Sequence, residues 1–426
     1  MVANYFKQTQ LNRLSKGLGD LASDCALSAC SQLGWRILNE DVSLPVAVLR
    51  HSRIKHNLAW MQQFMTRYGV ELAPHGKTTM SPELFQMQLT HGAWGITLAT
   101  ASQVQAAAAH GVRRIIMANQ LVGKGNMAII ARLQKTDPNF DFCCLVDSAE
   151  GAEALGKYFS EQGQKLRVLL EYGVEGGRTG IRHLQQEQAL LEAIERWPHS
   201  LSIVGVELYE GVLQQESAIR TMLRHVLART QELAREKKFT ETQVILTGAG
   251  SAWFDVVAEE FGGKELSLGY DLQVILRPGC YLTHDVGAYL NAEKRIQASN
   301  PIAREMGQSL LPALQLWAYV QSVPESGRAI IGLGKRDAAF DAGLPITSLH
   351  YRPHVSKMPR AAPAEWQITA MMDQHAFMSI PEHADIQVGD MLAFDISHPC
   401  LTFDKWRQLL LVDEEYQVTG AVHTLF

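Results

Sequence analysis

From residue 43 onward the chain alternates two textures. Short apolar runs, bounded by glycine, proline or small polar residues, are separated by longer stretches whose apolar residues recur at helical spacing. SLPVAVLR (43–50) predicts a first strand, and RIKHNLAWMQQFMTRYG predicts a helix stopping at Gly69, where glycine accepts the left-handed conformation. VELAP predicts the next strand. Ser81 and Pro82 then mark a helix start, a cap followed by a first-turn proline, and LFQMQLTHG runs to Gly92. The unit recurs as GITLAT, ASQVQAAAAHG and RRIIMAN. Further strands, DFCCLVDS, KLRVLLEYG, LSIVGVELYEG and QVILTGAG, alternate with helical stretches such as QQEQALLEAIERW.

Strands that are apolar throughout and alternate with amphipathic helices belong in a parallel sheet covered on both faces. At least seven of them before residue 250, spaced by roughly 25–40 residues, fit an α/β fold of the (β/α)8 TIM-barrel type, with an open doubly wound sheet as the competitor. After about residue 275 the strands follow one another without long helices, from LQVILRPGCYL through ALQLWAYVQSV and DMLAFDIS to YQVTGAVH. That texture predicts a second, mainly antiparallel β-domain, with YRPHVSKMPRAAPAEW as its longest loop. The expected organisation is an N-terminal extension with the first strand over 1–45, helical and irregular with Asp20 or Ser23 as caps, packing with the β-domain. A barrel over 46–275 and a β-domain over 276–426 follow.

Composition narrows the ligand. The 426 residues, 46% apolar and 19% charged, are ordinary globular material and too many for one typical core. A formal charge of −5, with both signs mixed along the chain, leaves no basic stripe for nucleic acid and no polybasic membrane patch. A small molecule is the expected partner. The first 20 residues interleave Lys7, Arg13 and Lys16 with polar residues and hold no signal-peptide core, and no later window predicts a membrane span. Six cysteines in a chain this long are no disulfide framework, so a cytoplasmic location is expected.

LAPHGKTTM (72–80) carries the first candidate chemistry. A lysine closing a strand is ordinarily a solvated charge. In a barrel, however, strand C-termini form the reaction face, and His75 and Lys77 stand two residues apart there, so an extended backbone would point both the same way. A partly desolvated Lys77 amine would have a lowered pKa and could attack a carbonyl. A phosphate site is then expected at a later strand end. TGAGS supplies Gly248 and Gly250, whose amides are open to an anion, and Ser251 as the opening of a helix. In SHPC, His398 and Cys400 at i and i+2 could offer imidazole and thiolate to a soft divalent metal; a buried cysteine beside a surface histidine is the bland reading. Cys143 and Cys144 read as strand core.

As an ordered set, PVAVLR, HNLAWMQQF, VELAPHGKT, GAWGITLATASQVQAAAAHG, EYGVEGGRTG, TGAGS, LRPGCY, GLGKRDAAFDAGLP and QVGDMLAFDISHPC resemble the D-serine dehydratase and D-threonine aldolase family, pyridoxal-phosphate enzymes of alanine racemase-like fold. The resemblance covers roughly residues 43–426. It implies that Lys77 carries pyridoxal 5'-phosphate, that Arg178 lies near the ring, and that Tyr209 and Tyr281 touch the ring or its phosphate. It further implies a metal, zinc in the dehydratases, on His398 and Cys400; the aldolases typically have aspartate in place of the cysteine, so Cys400 favours elimination. His375, in DQHAF, falls at the family's E-H-G element. The sequence departs from the family at Thr79 and Met80, where histidine and lysine are usual, and at Glu171, where aspartate is common.

The activity implied is metal-assisted loss of water from a 3-hydroxy-D-amino acid, giving a 2-oxo acid and ammonia, with Lys77 freed by the substrate to act as base and a homodimer as the assembly. Two alternatives stand beside it: retro-aldol cleavage to glycine and an aldehyde, and a non-catalytic pyridoxal-phosphate carrier.

Overall fold

The computed structural model describes residues 9–266 and 269–426. The first eight residues of the N-terminal extension, Lys7 among them, lie outside the described residues. Eight parallel strands form the barrel: β1 (Glu71–Leu72), β2 (Ile96–Leu98), β3 (Arg114–Gln120), β4 (Asp141–Val146), β5 (Leu166–Tyr172), β6 (Leu201–Leu208), β7 (Gln243–Gly248) and β8 (Asp271–Leu276). Each pairs with its neighbours in chain order, β8 returns to β1 through Leu276↔Leu72, and a bridge from His75 to Thr97 closes the ring between β1 and β2.

Inside the barrel, Ala73, Ile116, Cys143, Leu145, Leu169, Val204, Ile245 and Ile275 pack into one apolar plug. Alternate residues of the same strands face the surrounding helices, which is why these strands are mostly apolar and show no apolar–polar alternation. Helix ends follow the local chemistry. His51–Tyr68 stops at Gly69 with φ 63°, and Thr100 accepts a 3.3 Å bond from the Gln103 amide to start Ala101–Ala109. The alanines of that second helix, Ala107 and Ala108, are buried against its neighbours.

Two boundaries differ from the sequence reading. Val46–Arg50 is not a barrel strand; it pairs antiparallel with Leu314–Glu325 and parallel with Gln408–Val412 in the second domain. LQVILR, read as the start of the β-domain, is β8, and it is followed by two helices, Ala288–Ser299 and Pro301–Met306, before the antiparallel strands begin at Leu314. The second sheet has ten strands among the described residues, with Met391–Asp395 and Leu314–Glu325 central and Val46–Arg50 contributed from the N-terminal side. No α-helix forms in the described part of the extension. It folds over this sheet as 3-10 turns and a two-strand pair, fixed by Val418 N–H to Trp35 O at 2.8 Å and Gln408 Nε2 to Asn12 O at 3.1 Å. Among the described residues no helix is long and apolar enough to cross a membrane.

Candidate active site

At the C-terminal ends of the barrel strands a cavity of about 350 Å³ opens beneath the β-domain. That is room for a small organic ligand. It is lined by His75, Lys77, Arg178, Tyr209, Gly250, Ser251 and Cys400 from the sequence-predicted set, together with Glu207, Arg277, Cys280 and Tyr289. A larger cavity, about 790 Å³, lies outside the barrel between helices Leu184–Glu195 and Glu216–Arg235; it holds no lysine and none of the candidates.

β1 is only two residues long, and Gly76–Thr78 forms a 3-10 turn rather than an extended segment. The turn still delivers both His75 and Lys77 to the cavity. The Lys77 side chain remains open to solvent through the cavity mouth, yet the walls desolvate its amine enough to lower the pKa, with Arg178 and Arg277 adding to the effect. His75 is enclosed. Burial first, then the Lys77 and Arg277 charges, push its pKa well below the ordinary value, so its ring is neutral, and its Nδ1 has no partner.

The floor holds a buried ion pair, Arg277 Nη2 with Glu207 Oε1. Burial outweighs the guanidinium and raises Glu207 to about 7. Arg277 Nε and Glu207 Oε2 also lack partners. Three unpartnered polar atoms around one cavity are a cost of about 1–3 kcal/mol each unless a ligand or water answers them.

The TGAGS loop differs from expectation in two ways. The helix begins at Phe254, not Ser251, because the Ser251 hydroxyl is engaged elsewhere: it accepts the Gly279 and Cys280 amides at 3.1 and 3.0 Å. The amides of Ala249 and Gly250 donate to the buried Glu210 carboxylate at 3.1 and 2.7 Å. Gly248 ends β7 beneath this loop and does not line the cavity. Arg178 lies over the Tyr209 ring, its guanidinium carbon 4.9 Å from the centroid. Glu171 sits just behind, accepting the Thr179 hydroxyl at 2.6 Å and the Gln120 amide.

The cavity's other wall comes from the β-domain. His398 ends an extended segment and helix Pro399–Phe403 presents Cys400. Asp341 accepts His398 Nδ1 at 2.7 Å, and the ring also hydrogen-bonds Cys400. Hydrogen bonds with Cys280 first, and then with His398 and Thr78, hold the Cys400 thiol down at about 4 against the opposing effect of burial. The bond to Cys400 and the Asp341 carboxylate raise His398 to about 9. The two shifts run in opposite directions, each favouring the charged form of its group.

Two candidates fall elsewhere. Tyr281 turns away from the cavity into the core, where Gln88 Nε2 donates to its hydroxyl at 3.2 Å, because adjacent residues of the 3-10 turn Cys280–Leu282 point apart. His375 is exposed on the turn between strands Gln367–Met371 and Ala376–Ser379. Sequence reasoning missed Glu207, Arg277, Cys280, Tyr289 and Asp341. The signal available for three of them was a charged or sulfur-bearing residue at the end of an apolar run, in GVELYE and in LRPGCY.

The residues fit pyridoxal phosphate: a desolvated lysine, unpartnered polar atoms on the floor and the Ser251 hydroxyl share one cavity of suitable volume, while the loop amides are already taken by Glu210 and Ser251. They also fit a soft divalent ion, since thiolate and imidazole are its preferred donors and a carboxylate orients the imidazole. Among the described residues, however, no group of three or more His, Cys, Asp or Glu is arranged to hold one.

Comparison with known proteins agrees with this geometry. The alanine racemase N-terminal domain model matches residues 49–260, and the putative serine dehydratase domain model matches residues 313–412. The chain is 25% identical to the D-threonine aldolase of Arthrobacter sp. over 381 residues, 87% of this chain and 89% of that protein. It is 34% identical to the D-threo-3-hydroxyaspartate dehydratase of Delftia sp. (strain HT23) over 169 residues, 39% of this chain and 43% of that protein. A solved structure of D-threo-3-hydroxyaspartate dehydratase, a cysteine-to-alanine mutant in the metal-free form, superposes with a TM-score of 0.70 at 21% identity, covering 92% of this chain and 99% of that one.

Proposed function

The chain belongs to the D-serine dehydratase and D-threonine aldolase family of alanine racemase-like pyridoxal-phosphate enzymes, and from that premise we propose that it removes water from a 3-hydroxy-D-amino acid to yield a 2-oxo acid and ammonia. The observation that carries this reading is the Cys400 sulfur, beside His398 and lining the same cavity as Lys77. A dehydratase relative known in a metal-free form as a cysteine mutant supports it further.

Lys77 would hold pyridoxal phosphate, with the Ser251 hydroxyl, whose own proton is free to donate, toward the phosphate and Glu207 and Arg277 toward the ring. When bound, the cofactor supplies an electron sink conjugated to the substrate Cα. His398 and Cys400 would hold a divalent ion whose Lewis acidity serves the departing hydroxyl.

The remaining work belongs to the chain itself. Desolvation lowers the Lys77 pKa, which favours the neutral amine that would take the α-proton at Nζ. His75, held neutral, adds no second positive charge beside Lys77. Arg178, exposed at the rim over Tyr209, would meet the substrate carboxylate. The reading also carries the homodimer that the resemblance to the family implies.

A panel of D- and L-3-hydroxy amino acids tests the proposal, with ammonia, 2-oxo acid and glycine all assayed. Ammonia and 2-oxo acid in equal amounts from D-substrates are expected. Glycine with an aldehyde would move the assignment to an aldolase, and no product from any substrate would leave a carrier. Chelation should abolish ammonia release while the cofactor's visible absorbance persists, and deuterium from solvent should still enter the substrate α-position. Elimination at full rate in protein shown by elemental analysis to be metal-free would refute the role given to His398 and Cys400.

A further inference from the structure

We infer that Cys280 is a second thiolate donor to the divalent ion, so that the ion is held by Cys280, Cys400 and His398 rather than by the His398–Cys400 pair alone. This rests on the reading above that a metal is bound.

The sulfurs of Cys280 and Cys400 stand 3.8 Å apart, and both line the cavity that holds Lys77. Zinc bound tetrahedrally with Zn–S bonds of roughly 2.3 Å sets its sulfurs about 3.8 Å apart, the edge of that tetrahedron. The thiols are unbridged. Thr78 Oγ1, 3.9 Å from Cys280 Sγ and 3.5 Å from Cys400 Sγ, flanks the pair. The contacts along the row Cys280, Cys400, His398 are hydrogen bonds, each a proton shared between two groups that are metal donors when deprotonated. A cation can replace those protons: the Cys280 thiol proton and the His398 ring proton pass to solvent as the metal–sulfur and metal–nitrogen bonds form, with no change of oxidation state.

Cys280 is also held in place for such a role. Its amide and that of Gly279 donate to Ser251, which fixes the turn after β8. Cys400 comes from the other domain, on helix Pro399–Phe403. Because no three such groups among the described residues yet enclose one point, ion binding must draw His398 and Cys280 toward each other across Cys400. The fourth position is left to the substrate hydroxyl, as catalytic zinc sites with three protein donors require.

The test uses Co(II) in place of zinc in the full chain. Thiolate-to-cobalt charge transfer in the near ultraviolet scales with the number of bound sulfurs, so Cys280→Ser should lose about half of the wild-type intensity; Cys25→Ser, in the N-terminal extension, should lose none. Zinc affinity, read by competition with a chromophoric chelator, should fall roughly 100-fold or more in Cys280→Ser, because even outer-shell changes cost about 10–100-fold. X-ray absorption on the zinc-loaded wild-type protein should count two sulfurs, and this measurement stands if the variant fails to fold. One sulfur, or an unchanged cobalt spectrum in a folded Cys280→Ser, would overturn the inference and leave the His398–Cys400 site intact. Failure of the wild-type protein to take up either metal would overturn both.

Discussion

Gly279 offers the sharpest test of how the cofactor site is built. A Cβ built at this position would stand 2.5 Å from the His75 carbonyl oxygen and 2.7 Å from Thr78 Oγ1, the two residues that flank the Lys77 turn. Ordinary contact begins at about 3.4 Å, so Gly279→Ala demands a displacement of nearly 1 Å between the β8 turn and the Lys77 turn. The first obstacle is backbone, which cannot swing aside as a side chain can. Overpacking of this kind costs about 1–3 kcal/mol. If the strain falls on the site, that range corresponds to a loss of roughly 5- to 150-fold in pyridoxal-phosphate affinity, at about 1.4 kcal/mol per factor of ten. Gly250→Ala is the control. Its Cβ would stand 3.1 Å from the Tyr209 ring, a side chain that can yield by a few tenths of an ångström, and 3.5 Å from Glu210 Oε1, an ordinary contact. Titration of the apo-protein with pyridoxal phosphate, followed by absorbance and by borohydride trapping, gives both affinities. Equal affinity and equal melting temperature for Gly279→Ala and wild type would show that these two turns do not set the cofactor's place.

Borohydride reduction of the holoenzyme should fix the cofactor on the peptide containing Lys77, and recovery of the adduct on another lysine in a peptide digest would refute that assignment. His284 is buried with its pKa held down at about 4 by loss of solvent, against 6.5 in the unfolded chain. The unfolded state therefore takes up a proton between pH 6.5 and 4 while the folded state does not. Stability should drop by about 3 kcal/mol as pH falls through that window. Urea unfolding at pH 7 and pH 5 should show this slope in wild type and its loss in His284→Gln; identical slopes would place the effect elsewhere. Arg229→Ala strips the guanidinium from the buried Glu187, to which Arg229 Nε and the Tyr172 hydroxyl each donate at 2.8 Å, and should destabilise the chain by about 3–5 kcal/mol in thermal melts.

The barrel was legible because parallel strands buried on both faces have no polar alternation to hide, and each is followed by an amphipathic helix. The same feature misled at Val46–Arg50, fully buried between its neighbours in the antiparallel domain and so indistinguishable by pattern from a barrel strand. β8 was mislaid because its helix, Ala288–Ser299, buries little beyond Glu293 and Ile296 and carries almost no apolar stripe. In the site, Lys77 and Cys400 could be found because one short segment holds each with its neighbours. Cys280 and Glu207 acquire meaning only from partners 120 and 70 positions away. Ser251 shows the same limit from the other side: a local pattern that reads as a helix cap is overruled when amides from a distant turn claim the hydroxyl.

The placement of Val46–Arg50 also constrains the order in which the molecule can be completed. Val46 pairs with Trp317, so a strand made near the start of synthesis must wait for most of the chain before its partners exist. The eight barrel strands lie between those partners in the sequence and can assemble as they emerge, while the early strand and the extension before it stay unpaired beside the growing barrel. Completing the second sheet then closes a loop around an already compact body, whose ends are held close, so the entropic cost is far below that of closing an unfolded segment of equal length. Barrel and sheet are thus one interleaved object in time as well as in space, and cutting the chain after Arg50 would remove an interior strand from a domain whose remaining strands lie beyond residue 313.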